Sequence, residues 1–312
     1  MALTLEEIEK RISDSYEIPN NVLNAVPEPM VTVRTSTYQH GPYIRDCIEG
    51  VLMQKTTFPI EFIIGEDFST DGTREIVFEY AKNFPDTIRV ITADYNVSTR
   101  ANGRRCTRKY RGKYIALCEG DDYWTDPYKL QKQVDFLEEN GEYSMCFHRA
   151  MLVYEGMEDL NKPCENIETR EYSGEEILIK WTIPTASVVF RIDAYKLVHH
   201  PDFMYGDIIL FLSLAENGKI WGMSDVMSIY RKHVGGITSA KSKGFSKLLK
   251  FVKHHEAIRH RFGDKYEPVE NKILSRAYIG LSKHQLKKGN LGFVKSLITA
   301  FRKSPSLFAK NF

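Results

Sequence analysis

Residues 113–124 read KYIALCEGDDYW, an apolar run that ends in three carboxylates. The apolar part predicts a buried strand over Lys113–Cys118. Two earlier runs have the same form: strands are predicted at Met30–Val33 and Ile60–Gly65, and the polar stretches RTSTYQH and GEDFSTDG follow them. In open α/β sheets, ligands bind beyond the carboxyl ends of the strands. The three polar clusters therefore predict one site at one edge of a sheet.

Helical patterns separate these strands. Apolar residues recur at helical spacing in Tyr43–Gln54 and Thr73–Asn83, and residues 97–111 form a basic segment that also predicts a helix. Another strand is predicted at Thr87–Thr92. Strands that alternate with helices predict an α/β fold, with a mostly parallel sheet flanked by helices.

The second half of the chain predicts a different pattern. Strands are expected at Ser187–Phe190 and Met227–Tyr230, with a helix at Ile208–Glu216 between them. Gly235–Gly244 is typical of a flexible linker. Amphipathic helices are predicted at Phe245–Phe262, Lys272–Leu286 and Leu291–Lys303. We therefore expect a helical lead-in (1–29), a catalytic domain (30–240, with nucleotide-binding half 30–125 and acceptor half 126–240) and a helical C-terminal extension (241–312).

The composition narrows the class of protein. With 312 residues, 42% apolar and 12% aromatic, the chain has enough material for one large folded domain and a smaller region. No apolar run reaches the length of a membrane span. The N-terminus lacks the apolar segment of a secretory signal, and the five cysteines are widely spaced and never form CxxC. We expect a cytoplasmic protein with free thiols.

The charge is unevenly distributed. Residues 241–312 hold 17 Lys and Arg against 4 Asp and Glu, whereas the other 240 residues hold 26 against 37. A basic region on an acidic body fits contact with nucleic acid or with an anionic membrane surface. A helical region with a solvated lysine face fits the same numbers.

Each polar cluster has a chemical and a structural interpretation. Glu119, Asp121 and Asp122 are close enough to repel one another, and a divalent cation such as Mg²⁺ or Mn²⁺ would relieve that repulsion. The same residues suit an acidic turn before a helix. Asp67 could accept from a base or ribose, while Ser69 or Asp71 could cap the next helix.

Two further segments carry candidate chemistry. Asp207 begins a predicted helix, where it could be an ordinary cap or an ionised proton acceptor. In YRKHVGG, Arg231 suits a diphosphate and His233 a metal ion. P-loop, dinucleotide-binding, serine hydrolase and zincin signatures do not occur in the sequence.

Taken together, residues 30–240 resemble the inverting family 2 glycosyltransferases of GT-A fold. The resemblance rests on VTVRTSTYQHGPYIRDCIEGVLMQ, IEFIIGEDFSTDGT and RGKYIALCEGDDYWTDPYKLQKQ in that order. It implies a nucleotide-sugar donor, with a UDP-sugar favoured, a divalent metal and a saccharide or lipid-linked acceptor. Glu119-Gly120-Asp121 takes the place of the family's DxD motif, with Glu instead of the first Asp. The basic C-terminal helices would then lie at the inner face of the cell membrane, and no nucleic acid partner is expected.

The resemblance also implies a role for individual residues. The nucleotide would contact Ser36, Thr37, Tyr38, Asp67, Glu119 and Arg104 (or Arg100). The metal would bind to Asp121, Asp122 and His233, and the diphosphate to Arg231. Trp124 would contact the acceptor, and Asp207 would act as the general base. A sugar-1-phosphate nucleotidyltransferase would need a glycine-rich loop after the first strand, which RTSTYQHGPY does not supply. A non-catalytic nucleotide- or glycan-binding relative is the other alternative, and product formation separates it from an enzyme.

Overall fold

The computed structural model describes residues 3–164, 167–180, 183–236 and 245–309. Most of the predicted linker Gly235–Gly244 lies outside these ranges. The strands are β1 Tyr16–Glu17, β2 Val31–Thr37, β3 Ile60–Glu66, β4 Ile88–Thr92, β5 Tyr114–Leu117, β6 Tyr123–Trp124, β7 Tyr143–Tyr154, β8 Lys162–Pro163, β9 Arg170–Tyr172, β10 Val189–Arg191 and β11 Lys219–Lys232. The α-helices are α1 Leu5–Ser13, α2 Val22–Ala25, α3 Ile44–Leu52, α4 Thr73–Asn83, α5 Thr99–Thr107, α6 Lys129–Glu139, α7 Gly174–Lys180, α8 Gly206–Asn217, α9 Phe245–Phe262, α10 Glu267–Lys287, α11 Gly292–Lys303 and α12 Pro305–Ala309.

One sheet organises the described chain. Its strand order is β1-β4-β3-β2-β5-β10-β7-β11-β6, and β4, β3, β2 and β5 run parallel. Most residues of these four strands are buried, since helices cover both faces of a parallel sheet. The predicted α/β fold with flanking helices is confirmed, and short antiparallel strands extend the sheet on both sides.

Two parts of the sheet were not predicted. The lead-in is not helical throughout, because β1 pairs with β4 and adds an edge strand. The long strand β7 was missed, although it pairs in parallel with β11 over most of its length. Its residues carry few turn signals, and half of them face the core while the rest are partly exposed. The alternation that usually reveals a half-buried strand is therefore weak.

The C-terminal helices share the core of the catalytic region. Ile258, Phe262 and Tyr266 pack in the same apolar cluster as Phe211 of α8. His254 and His255 of α9 are both buried, although the basic composition of this helix is typical of a solvated one. The buried face of α9 consists of apolar and histidine side chains, and the basic composition of the helix did not predict this face.

Candidate active site

Two distant motifs meet at the carboxyl end of the parallel strands. Strand β6 pairs antiparallel with β11, with Tyr123 opposite Ile229. This pairing places the EGDDYW segment beside YRKH. As a result, Nε2 of His233 lies 3.2 Å from Oδ2 of Asp121. The structure thus brings together the carboxylate and the imidazole that the sequence pairs as metal ligands.

A second histidine reaches the same carboxylate. Nε2 of His40 lies 3.9 Å from Oδ2 of Asp121, and its Nδ1 is 3.2 Å from the hydroxyl oxygen of Thr37. Gly120 allows this approach, because a Cβ there would lie 2.7 Å from the Thr37 hydroxyl oxygen and 2.8 Å from Nδ1 of His40. Burial lowers the pKa of His40, so its ring favours the neutral form. A neutral imidazole has one free nitrogen that can accept a hydrogen bond or bind a cation. His40 was missed from the sequence, although it stands in the cluster RTSTYQH.

Arg231 is fixed beside these groups. Its guanidinium donates to the backbone oxygen of Asp121 over 3.2 Å and to the carboxylate of Asp46. The same group lies over the rings of Tyr43 and Tyr123, at 5.2 and 4.5 Å from their centroids. Aromatic rings and a carboxylate hold a planar cation in one orientation, which suits a group that binds a diphosphate.

Asp122 has a different environment from Asp121. It is 3% exposed, and its Oδ1 accepts the backbone N–H of Arg231 over 2.9 Å. Burial, with the neighbouring charge of Asp121, raises its pKa well above the ordinary value. Asp122 therefore ties β11 to the acidic turn, and the structure corrects its prediction as a metal ligand: its carboxyl group is turned into the protein.

Glu119 is held by an arginine that the sequence analysis overlooked. Nη1 of Arg34 donates to Oε1 of Glu119 over 2.8 Å and to the hydroxyl of Ser36 over 2.6 Å. This arginine lies within the buried strand β2, where sequence patterns predict apolar side chains. The ion pair joins the ends of β2 and β5 and fixes two of the predicted nucleotide contacts.

The remaining nucleotide contacts lie around the ends of β2 and β3. Asp67 is buried, and its Oδ1 accepts the backbone N–H of Val97 over 2.7 Å, while burial raises its pKa above the ordinary value. Thr37 is also buried, and its carbonyl accepts the N–H of Asp67. Tyr38, by contrast, is exposed. Asp71 caps α4 through the N–H of Thr73, as the structural interpretation of this cluster predicted.

Two neighbouring arginines of α5 face different groups. Arg104 lies 3.6 Å from the carboxylate of Glu9 on α1, whereas Arg105 donates to the backbone oxygen of Glu66 over 2.7 Å. Successive helical residues face different directions, so Arg105 is the one of the two that contacts the end of β3. Contact between Arg104 and a nucleotide stays a prediction.

Trp124 does not line an open surface. Its side chain is 1% exposed, and its indole N–H donates to the carbonyl of Ala186 over 2.7 Å. The ammonium of Lys129 lies 4.1 Å from the ring centroid. The prediction that Trp124 faces the acceptor is therefore wrong for this structure: the large apolar ring is core material.

Asp207 stands in the first turn of α8, half-buried, and its Oδ1 accepts the N–H of Ile208 over 2.9 Å. The segment before this helix is held from two sides. Arg100 of α5 donates to the carbonyls of Pro201 and Phe203. From α9, Nδ1 of His254 accepts the N–H of Met204 over 3.1 Å.

The donor set at Asp121 fits a divalent cation only in part. A carboxylate oxygen and imidazole nitrogens are ligands that Mn²⁺ accepts. Within the described ranges, however, no group of three or more His, Cys, Asp or Glu side chains is arranged to hold a metal ion. A cation at Asp121 and His233 would therefore need further ligands from a bound molecule.

Comparison with known proteins decides the family. The model of Glycosyl transferase family 2 matches residues 32–198, which is more than half of the chain. The chain belongs to glycosyltransferase family 2. An uncharacterized protein of Mycobacterium tuberculosis is 38% identical over 208 residues, 66% of this glycosyltransferase and 60% of the relative. The chain thus spans about three fifths of that relative's length.

Two further matches support the assignment. The Escherichia coli enzyme UDP-Glc:alpha-D-GlcNAc-diphosphoundecaprenol beta-1,3-glucosyltransferase WfaP is 27% identical over 241 residues, 73% of this chain and 90% of that enzyme. The crystal structure of Staphylococcus aureus TarS 1-349 in complex with UDP has a TM-score of 0.59 at 16% identity, over 90% of this chain and 82% of that one. The predicted GT-A fold is confirmed.

Proposed function

We propose that this glycosyltransferase moves a sugar from a UDP-sugar to a saccharide or lipid-linked acceptor, with inversion and with the help of Mn²⁺ or Mg²⁺. The observation that carries the proposal is the contact between Asp121 and His233, with Arg231 bound to the same turn. A carboxylate with cationic and imidazole groups beside it suits a metal-bound diphosphate. The substrates in the name of the E. coli relative support a UDP-sugar donor and a diphosphoundecaprenol-linked acceptor.

In this proposal, the strand ends bind the donor. Ser36, Thr37, Tyr38 and Asp67 contact the nucleoside, and Glu119 supports them through Arg34. Asp121 and His233 hold the cation, which when bound offsets the negative charge that grows on the leaving diphosphate. Arg231, which donates to the backbone oxygen of Asp121, would donate to the same diphosphate.

Asp207 acts as the general base. Its carboxylate takes the proton of the acceptor hydroxyl as that oxygen forms a bond to the anomeric carbon. The bond between the anomeric carbon and the diphosphate oxygen breaks, and the nucleotide leaves with the electron pair. A single displacement from the opposite face inverts the configuration, so one base is sufficient and no covalent intermediate forms.

We also propose that the enzyme works in the cytoplasm at the inner face of the membrane. The five cysteines are buried, which fits a reducing compartment. No helix among the described residues is long and apolar enough to cross a membrane. The basic helices α9–α11 would supply the contact with the membrane.

The test is release of nucleotide from UDP-glucose, UDP-N-acetylglucosamine and UDP-galactose, with undecaprenyl-diphosphate-linked sugars as acceptors. We expect release from a UDP-sugar that needs Mn²⁺ or Mg²⁺ and stops with EDTA. The product should carry the anomeric configuration opposite to that of the donor, as measured by NMR. Full activity in EDTA, or a product with retained configuration, would contradict the proposal.

A further inference from the structure

Helix α11 packs on α10 through its small residues. Ser296 and Ala300 are buried, and they lie one turn apart on the same side of α11. The hydroxyl of Ser275 donates to the carbonyl of Ala300 over 2.9 Å, and the hydroxyl of Ser296 donates to Oε1 of Gln285 over 2.7 Å. The inner face of α11 is therefore small and hydrogen-bonded rather than strongly apolar.

Four apolar residues, one just before α11 and three on it, point the other way. Leu291 is 82% exposed, and Val294, Ile298 and Phe301 are each about half exposed. Their spacing of three or four residues places them on one stripe of the helix. An amphipathic helix normally turns such a stripe to the core. Here the stripe faces outward, which marks a contact surface rather than ordinary core material.

Basic side chains flank this stripe. Lys295 and Arg302 are exposed on α11, and Lys283, Lys287 and Lys288 are exposed at the end of α10. In the described part of the chain, no carboxylate forms an ion pair with any of these five. Other basic residues of the C-terminal helices do form ion pairs: Arg259 and Lys303 both pair with Glu256. The positive charge is therefore concentrated around the apolar stripe.

We propose that this C-terminal surface, formed by Leu291, Val294, Ile298 and Phe301 with the five flanking cations, docks on an anionic lipid surface. The inference deepens the membrane association proposed above by naming the face that makes it, and it does not depend on the transfer reaction. Apolar side chains enter the boundary between headgroups and acyl chains, and the surrounding cations attract anionic headgroups. A second copy of the chain would bring the same positive charges together, so charge complementarity favours the lipid.

Co-sedimentation with vesicles tests this inference on the full chain. The vesicles contain phosphatidylglycerol and phosphatidylcholine in equal parts, or phosphatidylcholine alone. Ile298→Ser with Phe301→Ser should weaken partition to the anionic vesicles about ten-fold or more, because apolar burial is lost. Lys287→Glu with Lys288→Glu should weaken it by at least about 25-fold, since each lost basic contact is worth about five-fold and the new carboxylates add repulsion.

Two control variants match these changes outside the C-terminal surface. Ile179 is 61% exposed on α7, and Lys82 is exposed on α4. Ile179→Ser and Lys82→Glu should therefore leave partition unchanged. Far-UV circular dichroism verifies that each variant is folded. Stabilisation by UDP, followed in parallel, should be unchanged in all of them, so a failure of nucleotide binding is distinguished from a failure of docking.

Three results would overturn the inference. One is equal partition of the wild type to anionic and neutral vesicles. Another is partition of the Ile298/Phe301 variant that equals the wild type. The third is a concentration-dependent dimer in analytical ultracentrifugation that the same variant abolishes, without vesicle binding, because the stripe would then bind a second copy.

Discussion

The two sides of the candidate site are built differently. On the strand-end side, charged groups contact one another: Arg34 holds Glu119, and Asp121 is contacted by His233 and Arg231. On the α8 side, the segment before the helix is held through its backbone by Arg100 and His254. One side is prepared for a charged ligand, and the other fixes the position of a helix. We therefore expect substitutions on the first side to change ligand affinity and those on the second to change rate.

Asp207→Asn is the strongest test of the α8 side, where we expect substitutions to change the rate. An amide cannot take the acceptor proton, so kcat for transfer should fall by about 10²–10⁴-fold. The affinity for UDP with Mn²⁺ should stay within about two-fold of the wild type. Steady-state transfer kinetics and calorimetric titration provide the two values. Near-normal kcat would remove Asp207 from the role of base.

Asp121→Asn tests the strand-end side, where we expect substitutions to change ligand affinity. The variant loses the carboxylate beside His233, so the affinity for Mn²⁺ in the presence of UDP should fall at least about ten-fold. The rate of transfer should fall by about 10²–10³-fold because the leaving charge is less stabilised. Mn²⁺ binding can be followed by EPR. Asp135→Asn, a change at an exposed carboxylate of α6, is the matched control, and an equal loss there would contradict the assignment.

Lys129→Met tests how well water is excluded beneath the strand ends. Burial lowers the pKa of Lys129 to about 7, whereas an unfolded lysine titrates near 10.4. Between these values the unfolded state holds more protons, so stability rises with pH. The stability of the wild type relative to the variant should increase by up to about 4 kcal/mol from pH 7 to pH 10.

Chemical denaturation across this pH range measures the difference between the two proteins. Subtracting the variant removes the contribution of other titrating groups. A difference that does not change with pH would show that Lys129 keeps its proton, and that the region under the strand ends is wetter than the structure indicates.

His254→Ala should have the smallest effect. It removes one acceptor of the Met204 N–H, so Asp207 should be less well positioned and kcat should fall about five-fold. His254→Asn keeps an acceptor and should restore part of the rate. Burial lowers the pKa of His254 to about 3, so the ring is neutral and the effect should not vary between pH 6 and pH 8. A change in UDP affinity instead of kcat would contradict the separation of the two sides.

The sequence predicted the ends of the parallel strands better than it predicted the structure of the second half of the chain. The parallel strands are short apolar runs followed by polar clusters, and both signals are local. Helix α4 was predicted at its observed bounds, Thr73–Asn83. The direction of a side chain is not local, so the burial of Trp124 and Asp122 could not be read from their motif.

Buried charged and histidine residues were the main source of error. Arg34 and Lys129 are charged residues inside the protein, where composition predicts apolar ones. His255 is buried against Glu270, with its Nδ1 2.9 Å from that carboxylate. Arg34 and His255 pair with carboxylates of other elements, whereas the ammonium of Lys129 donates to Gln133 one turn along α6 and lies over the ring of Trp124. The first two contacts form only when the chain is folded.

The most direct test of the account is the stability of the protein with UDP, in Mn²⁺ and in EDTA. A nucleotide at 100 times its Kd should raise the free energy of unfolding by about 2.7 kcal/mol. We predict this increase for the wild type with UDP and Mn²⁺, little increase in EDTA, and a loss of the difference in Asp121→Asn. Equal stabilisation in Mn²⁺ and EDTA, or an unaltered Asp121→Asn variant, would contradict a metal-bridged diphosphate at Asp121 and His233.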